Sequence, residues 1–411
     1  MSFRAVFIAV AVSVALIAAA LIVNSRRPAI ETAQPNAAMV RASGKCAECH
    51  RQETQAMVVE FERSRHATMG VTCLDCHRPQ EHQEGMEHRG FAIAKHLTAA
   101  NCSQCHQAQY QQFLRSRHAA PAYAAVAGES AFTPEQVAFA EQYHHGAVKR
   151  APNPLVSLEG EAAAAKGCFS CHSVGRPNAD GSIGTCTQCH SRHLASVRLA
   201  RLPETCGQCH MGPDHSQIEI YTESKHGVIF NALRASMNLD ARPARLTPAD
   251  MPVPTCATCH MSGLGGQKVT HDTSERLSYW LFAAVSDKRP NYAGGQAEMK
   301  DVCNTCHVKS RTDAFYTEAE AVVAATNAKV AEGMGIVDGL RKDGLLTPAP
   351  FDEPIEITAF DFWHYFGRTA KHGAFMGGAD FVQWHGNYEL LTHLVELKAQ
   401  AAELRKAHGT H

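Results

Sequence analysis

Residues 5–23 (AVFIAVAVSVALIAAALIV) form an uncharged apolar run, with Arg4 before it and Arg26 and Arg27 after it. A stretch of this length can cross a bilayer as a helix. A cleaved leader competes with that reading, because small residues at 18–20 offer a cleavage site inside the run. The length of the run and the lack of a small-x-small site at its far end favour an uncleaved anchor over residues 1–25, while the two outer arginines sit against the positive-inside rule. Either reading sends the remaining chain across the membrane, and residues 26–44 read as a polar tether. Further on, apolar positions recur at helical spacing over 53–62, 134–145, 219–235 and 318–330. Glycine and proline clusters at 175–184, 252–254 and 263–266 separate them. In the tail, Leu390, Leu394, Leu397, Ala401 and Leu404 fall at spacings of four and three, the seam of an amphipathic helix. Alternating strand patterns are scarce. The pattern predicts a mainly α chain with long loops, in which a core over 45–310 precedes a helical region over 311–411.

Charge adds an exclusion. With 39 basic and 40 acidic residues the chain is close to neutral, which leaves nucleic acid and acidic surfaces without a basic face to meet.

Cysteine usage changes the picture more. The pattern Cys-x-x-Cys-His occurs eight times, at Cys46, Cys49 and His50; Cys73, Cys76 and His77; Cys102, Cys105 and His106; Cys168, Cys171 and His172; Cys186, Cys189 and His190; Cys206, Cys209 and His210; Cys256, Cys259 and His260; and Cys303, Cys306 and His307. Two thiols three positions apart can each add to a vinyl group of one haem, and the adjacent histidine reaches the iron. A single copy would leave room for a zinc knuckle or a dithiol redox pair. Eight copies use all 16 cysteines and leave no thiol for a disulfide, a nucleophile or zinc. The expectation is eight covalently bound haem c groups and a multihaem cytochrome c wrapped around eight stacked haems. Attachment of haem c outside the cytoplasm agrees with the export segment and places the protein in the periplasm, tethered to the inner membrane if the anchor is kept. A chain this long would ordinarily build about two or three apolar cores. Here the haems are expected to supply that volume instead, in line with an aromatic content of 7%.

Of the 25 histidines, eight are taken as proximal ligands. The tripeptide Ser-Arg/Lys-His recurs at Ser64, Ser116, Ser191 and Ser224, and none of its histidines belongs to a haem motif. His66, His118, His193, His226 and His271 are therefore candidate sixth ligands. His82, His88, His96, His144, His145, His372 and His385 are weaker ones, for which an ordinary surface or core histidine is as good a reading. A haem with two imidazoles only passes electrons, whereas one lacking the second can bind a substrate. Function turns on whether one iron is open.

The runs CHSVGRPNADGSIGTCTQCH, CGQCHMGPDHSQIEIYTESKHG, THDTSERLSYW and AKHGAFMGGADFVQWHGNYEL resemble the octahaem hydroxylamine oxidoreductase family, over residues 45–397. No Cys-x-x-Cys is followed by lysine, unlike the eight-haem nitrite reductases that resemble the five-haem enzymes. The resemblance implies that the haem of Cys168, Cys171 and His172 is the catalytic one, with Asp214 and His215 on its distal side and Tyr279 a further residue of that pocket. A carboxylate and an imidazole suit a substrate that exchanges protons as it exchanges electrons. The plainer alternatives are that Asp214 caps a helix starting near Ser216, that His215 is one more axial ligand, and that Tyr279 is packing. Family members that oxidise hydroxylamine link a tyrosine covalently to a neighbouring subunit's haem. This chain has Phe381 at the matched position, with Tyr365 and Tyr388 nearby. The resemblance thus implies an uncross-linked member running toward reduction of nitrite or a related small nitrogen oxide, a homotrimer, and a membrane quinone-linked or soluble cytochrome as redox partner. The alternative is a non-catalytic electron conduit with every iron closed.

Overall fold

The computed structural model describes residues 37–409, together with Arg4 and residues 12–18. The apolar run at 5–23 therefore lies largely outside the described residues, and no helix among the described residues is long and apolar enough to cross a membrane. The chain divides into two compact units, Met1–Asp75 and Cys76–His411.

In the first unit, helix Ala37–Glu53 starts inside the segment read as a tether and runs through the first haem motif. Its alanine-rich start, AAMVRASGK, favours helix over coil. Helices Gln55–Glu62 and Arg65–Thr68 follow.

The second unit is helical with long connections. Its one sheet among the described residues is the antiparallel pair Gly85–His88 and Phe91–Ala94. Helix Pro134–His144 matches the expected one, started by a Thr133 capping box and Pro134 at its first position. The stretch 219–235 is not one helix. It breaks at Ser224 into Gln217–Glu223 and Lys225–Leu233, because Ser224 is extended (φ −67°, ψ 160°) and its hydroxyl accepts from the Gly227 amide. The stretch 318–330 is the middle of a much longer helix, Lys309–Lys342. Helix Glu389–Ala407 buries Leu390, Leu394, Leu397 and Ala401, as the seam predicted.

The expectation that haem would replace ordinary cores needs correcting. Three apolar clusters are buried: around Leu114, Val137 and Ile183; around Phe230, Leu239 and Val302; and around Val330, Leu340, Phe362, Leu390 and Leu397. The last belongs to the tail beyond the final haem motif, where the helices cover one another.

Close backbone contact fixes the segment after the fourth motif. A Cβ on Gly175 would lie 1.8 Å from the Ala119 carbonyl oxygen, at the start of helix Ala120–Ala127. We expect Gly175→Ala to force these backbones apart and to destabilise the holoprotein by about 1–3 kcal/mol or more. A thermal melt with haem content measured alongside checks this, and a wild-type midpoint would contradict it.

Candidate active site

The haem motifs share one local geometry. Cys73–His77, Cys168–His172 and Cys256–His260 are each a single helical turn. In the motifs that lie at helix ends the histidine amide still donates to the first cysteine's carbonyl, at 3.0 Å for His106 and His190 and 2.9 Å for His210 and His307. One turn of helix puts residues three apart on the same side, so both sulfurs can meet one ring edge. All sixteen cysteines are free of disulfides. The motifs also touch each other. The Cys102 thiol lies beside Cys186, Cys206 beside Cys256, and Cys209 beside Cys171. Cys189 lies near Cys206, and Cys259 near Cys303. These proximities link six motifs, from Cys102 to Cys306.

Histidines face the proximal ones at separations suited to iron. A ring nitrogen sits about 2 Å from a first-row metal, so two imidazoles on one iron have ring centres about 6 Å apart. His118 and His210 are 5.7 Å apart, their Nε2 atoms 3.4 Å from each other. His190 and His271 are 6.4 Å apart and nearly parallel, and His226 and His307 are 6.0 Å apart. The Nδ1 atoms point elsewhere: that of His118 to the Thr273 hydroxyl (3.2 Å), that of His210 to Gln217 Oε1 (3.1 Å). Bonds of this kind set the ring orientation and leave Nε2 for the metal. Burial pushes His118 down to about 3 and His210, His260 and His271 to about 4, so these imidazoles are neutral, as ligation requires. The donor set fits haem c.

The recurring tripeptide has a structural cause. Ser64, Ser116 and Ser224 are all buried and take nearly one conformation (φ −76°, −73° and −67°; ψ 157°, 148° and 160°). Each serine ends one helix, and its hydroxyl accepts an amide of the next segment: Ala67, His118 and Gly227 respectively. The histidine two residues on leaves each turn the same way, and two of the three, His118 and His226, meet a proximal histidine. His66 sits on the matching turn in the first unit. His193 is half-buried with its backbone in the left-handed region (φ 64°), a different setting from the other three. Among the weaker candidates, His144 is a core residue whose Nε2 donates to the Leu114 carbonyl (2.9 Å), and His385 is exposed beside Asp380.

Around His172 the arrangement differs. Its Nδ1 donates to the Ala122 carbonyl (2.5 Å), and the His215 ring lies 6.4 Å away, almost perpendicular. Asp214 Oδ2 is 2.5 Å from His215 Nδ1. The helix beginning at Gln217 has no side-chain cap, and Ser216, at the cap position, bonds to Thr369 instead, so Asp214 is not a helix cap. Two residues absent from the sequence reading complete the cluster. Arg368 Nη1 is 3.7 Å from Asp214 Oδ2 and 2.8 Å from His364 Nε2, which itself lies 3.9 Å from Asp214. Burial alone would raise the Asp214 carboxyl, but the His215 hydrogen bond and the charge of Arg368 outweigh it and hold it below the usual range. Burial and the neighbouring Arg368 push His364 down to about 3, so it is neutral. Phe282 closes the group, 4.9 Å from the His215 ring and 4.7 Å from His372.

Tyr279 is on the same loop as Phe282, and its ring packs on Phe375 at 5.7 Å. The loop is pinned from behind by Lys371, which is fully buried and donates to the carbonyls of Ala283 (2.7 Å) and Ala284 (3.0 Å) and to the Ser286 hydroxyl (2.7 Å). Lys371→Met would leave those carbonyls without a donor. It should cost about 1–3 kcal/mol and speed amide exchange across residues 280–286. Wild-type exchange in the variant would show that the lysine does not hold the loop. Phe381 is buried against its own chain, 5.2 Å from the His385 ring, while Tyr388 is 48% exposed.

Helical turns carrying thiol pairs, thiols of successive motifs in contact and neutral imidazoles in facing pairs together define a multihaem c-type cytochrome. Residues 69–354 match the family profile described as "Seven times multi-haem cytochrome CxxCH", and the chain belongs to that family. Among curated proteins it is similar to a "Probable nitrite reductase-hydroxylamine oxidoreductase fusion protein" of Kuenenia stuttgartiensis, at 24% identity over 369 residues, covering 75% of this chain and 39% of that protein. The chain thus spans about two fifths of that relative's length. Among solved structures it resembles a "Hypothetical multiheme protein" (TM-score 0.75, 22% identity, 90% of this chain and 96% of that one). A reducing HAO-like protein complex of Kuenenia stuttgartiensis is similar as well (TM-score 0.68, 20% identity, 90% of this chain and 86% of that one). These likenesses extend the mainly helical multihaem fold over nine tenths of the chain.

Proposed function

We propose that this cytochrome is an oxidoreductase acting on a small nitrogen oxide at the haem of Cys168, Cys171 and His172, in the reductive direction, with nitrite as the substrate. The other seven of eight haem c groups carry electrons, each iron held by two histidines; His118, His226 and His271 face His210, His307 and His190. The observation that carries the reading is the cluster beside His172. There Nδ1 of His215 is bonded to a carboxylate with the Arg368 guanidinium 3.7 Å away. The Nδ1 of His118, by contrast, is bonded to a threonine hydroxyl and that of His210 to a glutamine oxygen. An electron-carrying haem has no use for a charged, proton-accepting group, whereas nitrogen-oxide reduction consumes protons at the bound substrate.

A haem bound here would supply the iron and pass on electrons from a donor. The chain's own residues would do the rest: His172 would hold the iron, its ring fixed by the Ala122 carbonyl, and the Asp214–His215 couple would give or take protons. Phe282 packs against the His215 ring at 4.9 Å and fixes one side of the couple. The names of the Kuenenia relatives, one a nitrite reductase-hydroxylamine oxidoreductase fusion and the other a reducing complex, agree with the reductive direction.

A second reading has one observation in its favour. The His172–His215 separation of 6.4 Å equals that of the His190–His271 pair, which is what a closed iron and an electron conduit would show. Electron paramagnetic resonance of the ferric protein separates the two. One high-spin iron per chain supports the enzyme, and an all-low-spin spectrum supports the conduit. Steady-state assays with nitrite and reduced viologen, and with hydroxylamine and an oxidised acceptor, then give the direction.

Self-association, which the resemblance sets at three copies, is supported as a contact by a row of exposed apolar residues on the C-terminal segment: Trp384, Tyr388, Leu391 and Val395, each about half exposed or more. Phe381 is buried in its own chain and carries no phenol, so we expect no inter-subunit haem link through it. Tyr388 lies in the exposed row, and a mass spectrum of denatured protein checks for a link there. The natural electron donor is a quinone-linked or soluble cytochrome outside the cytoplasm.

A further inference from the structure

Arg368 opens helix Arg368–Met376, directly after the π-helical turn Asp361–Gly367, and its side chain is 12% exposed. Its Nε donates to the Phe282 carbonyl (2.8 Å), and its guanidinium lies over the rings of Phe282 (5.4 Å) and Trp363 (5.0 Å). It is therefore held flat and rigid beside the His215 pocket. Nη1 is bonded to His364, and Nη2 makes no hydrogen bond to the described residues. Asp214 does not fully answer this cation. At 3.7 Å it is beyond good hydrogen-bonding distance, while its tight partner is His215 at 2.5 Å. Burial lowers Arg368 to about 10, which still leaves it charged at neutral pH.

A desolvated, incompletely paired guanidinium is expensive to keep. Proton transfer does not require it, and a neutral substrate gains little from it. An anion with two oxygens matches its planar fork. A second arginine adds to the field: Arg150 is near enough to Arg368 to disfavour its charge. Arg150 lines an open cleft of about 510 Å³ together with Glu129 and with Lys149, which pairs with Glu141 at 3.7 Å. Arg150 thus adds positive charge beside that of Arg368, which favours the approach of an anion.

We propose that Arg368 is the specificity-determining residue of this site, its guanidinium binding an oxygen of a small monovalent nitrogen-oxide anion, so that the site selects nitrite over neutral hydroxylamine. The proposal rests on the open haem at His172. The test is ligand binding to the full haem-loaded chain, followed by its absorption spectrum, with nitrite and azide as anionic probes of the ferric protein and carbon monoxide as a neutral probe of the reduced protein. Arg368→Gln is expected to weaken nitrite and azide about tenfold or more while carbon monoxide binds as in wild type. Arg368→Lys, which keeps the charge and loses the fork, should hold azide close to wild type and still lose nitrite affinity. Arg150→Gln should slow nitrite association and flatten its dependence on ionic strength.

Unchanged nitrite affinity in Arg368→Gln would overturn the assignment. So would equal losses of nitrite and carbon monoxide, which would mean that the pocket had collapsed rather than lost its anion selectivity. Should Arg368→Gln not assemble, the nitrite-to-azide ratio in Arg368→Lys decides the matter, and a wild-type ratio refutes the fork. Wild-type protein that binds none of the three probes has no open iron. That result removes the underlying reading and this inference with it, and it is distinct from binding that simply ignores Arg368.

Discussion

Asp214→Asn is expected to keep the haem complement and to cut nitrite turnover by about 10²–10⁴-fold, the usual contribution of a positioned acid-base group. Asparagine has nearly the same shape and can still accept a hydrogen bond from His215 Nδ1, so the His215 ring should keep its place. What it lacks is the negative charge. In the native site that charge is held firmly: the carboxyl is kept below its usual range by His215 and Arg368 despite its burial. Asp214 is thus ionised throughout the neutral range, and its charge stands beside the ring that would exchange protons with substrate. The variant should show a lower kcat with little change in nitrite Kd, because Arg368, not Asp214, is the anion anchor. A structural role for the carboxylate predicts the opposite, a lower melting temperature with turnover intact. Measuring both on one preparation separates the two roles.

This cluster also shows where reading the sequence succeeds and where it stops. The haem motifs are local. Two cysteines and a histidine in one helical turn carry their chemistry in their spacing, and each motif keeps that turn in three dimensions, whether or not a longer helix continues it. The Ser-Arg/Lys-His repeat was legible for a related reason. The buried serine is what breaks the chain and launches the histidine, so the same local need reproduces the same three residues. Arg368 and His364 carry no such signature. They lie about 150 residues beyond Asp214, and at a spacing of four they read as an ordinary helical pair.

Only the packing of the tail against the pocket gives that pair its role. The π-helical turn Asp361–Gly367 supplies the offset, since it inserts a residue into the helix just before Arg368. The aromatic run Phe360 to Phe366, dense for a chain so poor in aromatics, was the one available hint. Lys371 was equally hidden. A lysine in a helix reads as a solvated residue until three acceptors of a distant loop are seen around its ammonium group. The break at Ser224 escaped because the residues on both sides of it favour helix, and the serine's competing hydrogen bond outweighs them.

The second large effect is expected at His118. Its Nε2 faces that of His210 at 3.4 Å, and its ring is nearer to that of His210 (5.7 Å) than the His215 ring is (6.2 Å). Removing the imidazole should therefore open the haem of Cys206, Cys209 and His210 without disturbing its attachment. His118→Gly is expected to convert that iron from low to high spin, adding one high-spin component to the resonance spectrum while the haem content stays unchanged. Loss of an axial imidazole also shifts the reduction potential of an electron carrier. The position matters, because the His210 motif touches the proposed catalytic one through Cys209 and Cys171 and the next motif through Cys206 and Cys256. Turnover with viologen should then fall by about tenfold or more, corresponding to roughly 1.4 kcal/mol on the limiting barrier. The glycine leaves a space the size of the lost ring, so free imidazole should enter it, restore the low-spin spectrum and recover much of the rate. A residue that merely packed there would give neither the new high-spin signal nor the rescue. An unaltered spectrum in His118→Gly would transfer the sixth position of that haem to another histidine. The neighbours available are His215, 6.2 Å from the His210 ring, and His372, fully buried close by, and the reading of His215 as a proton carrier would have to be abandoned if it were the one that moved in.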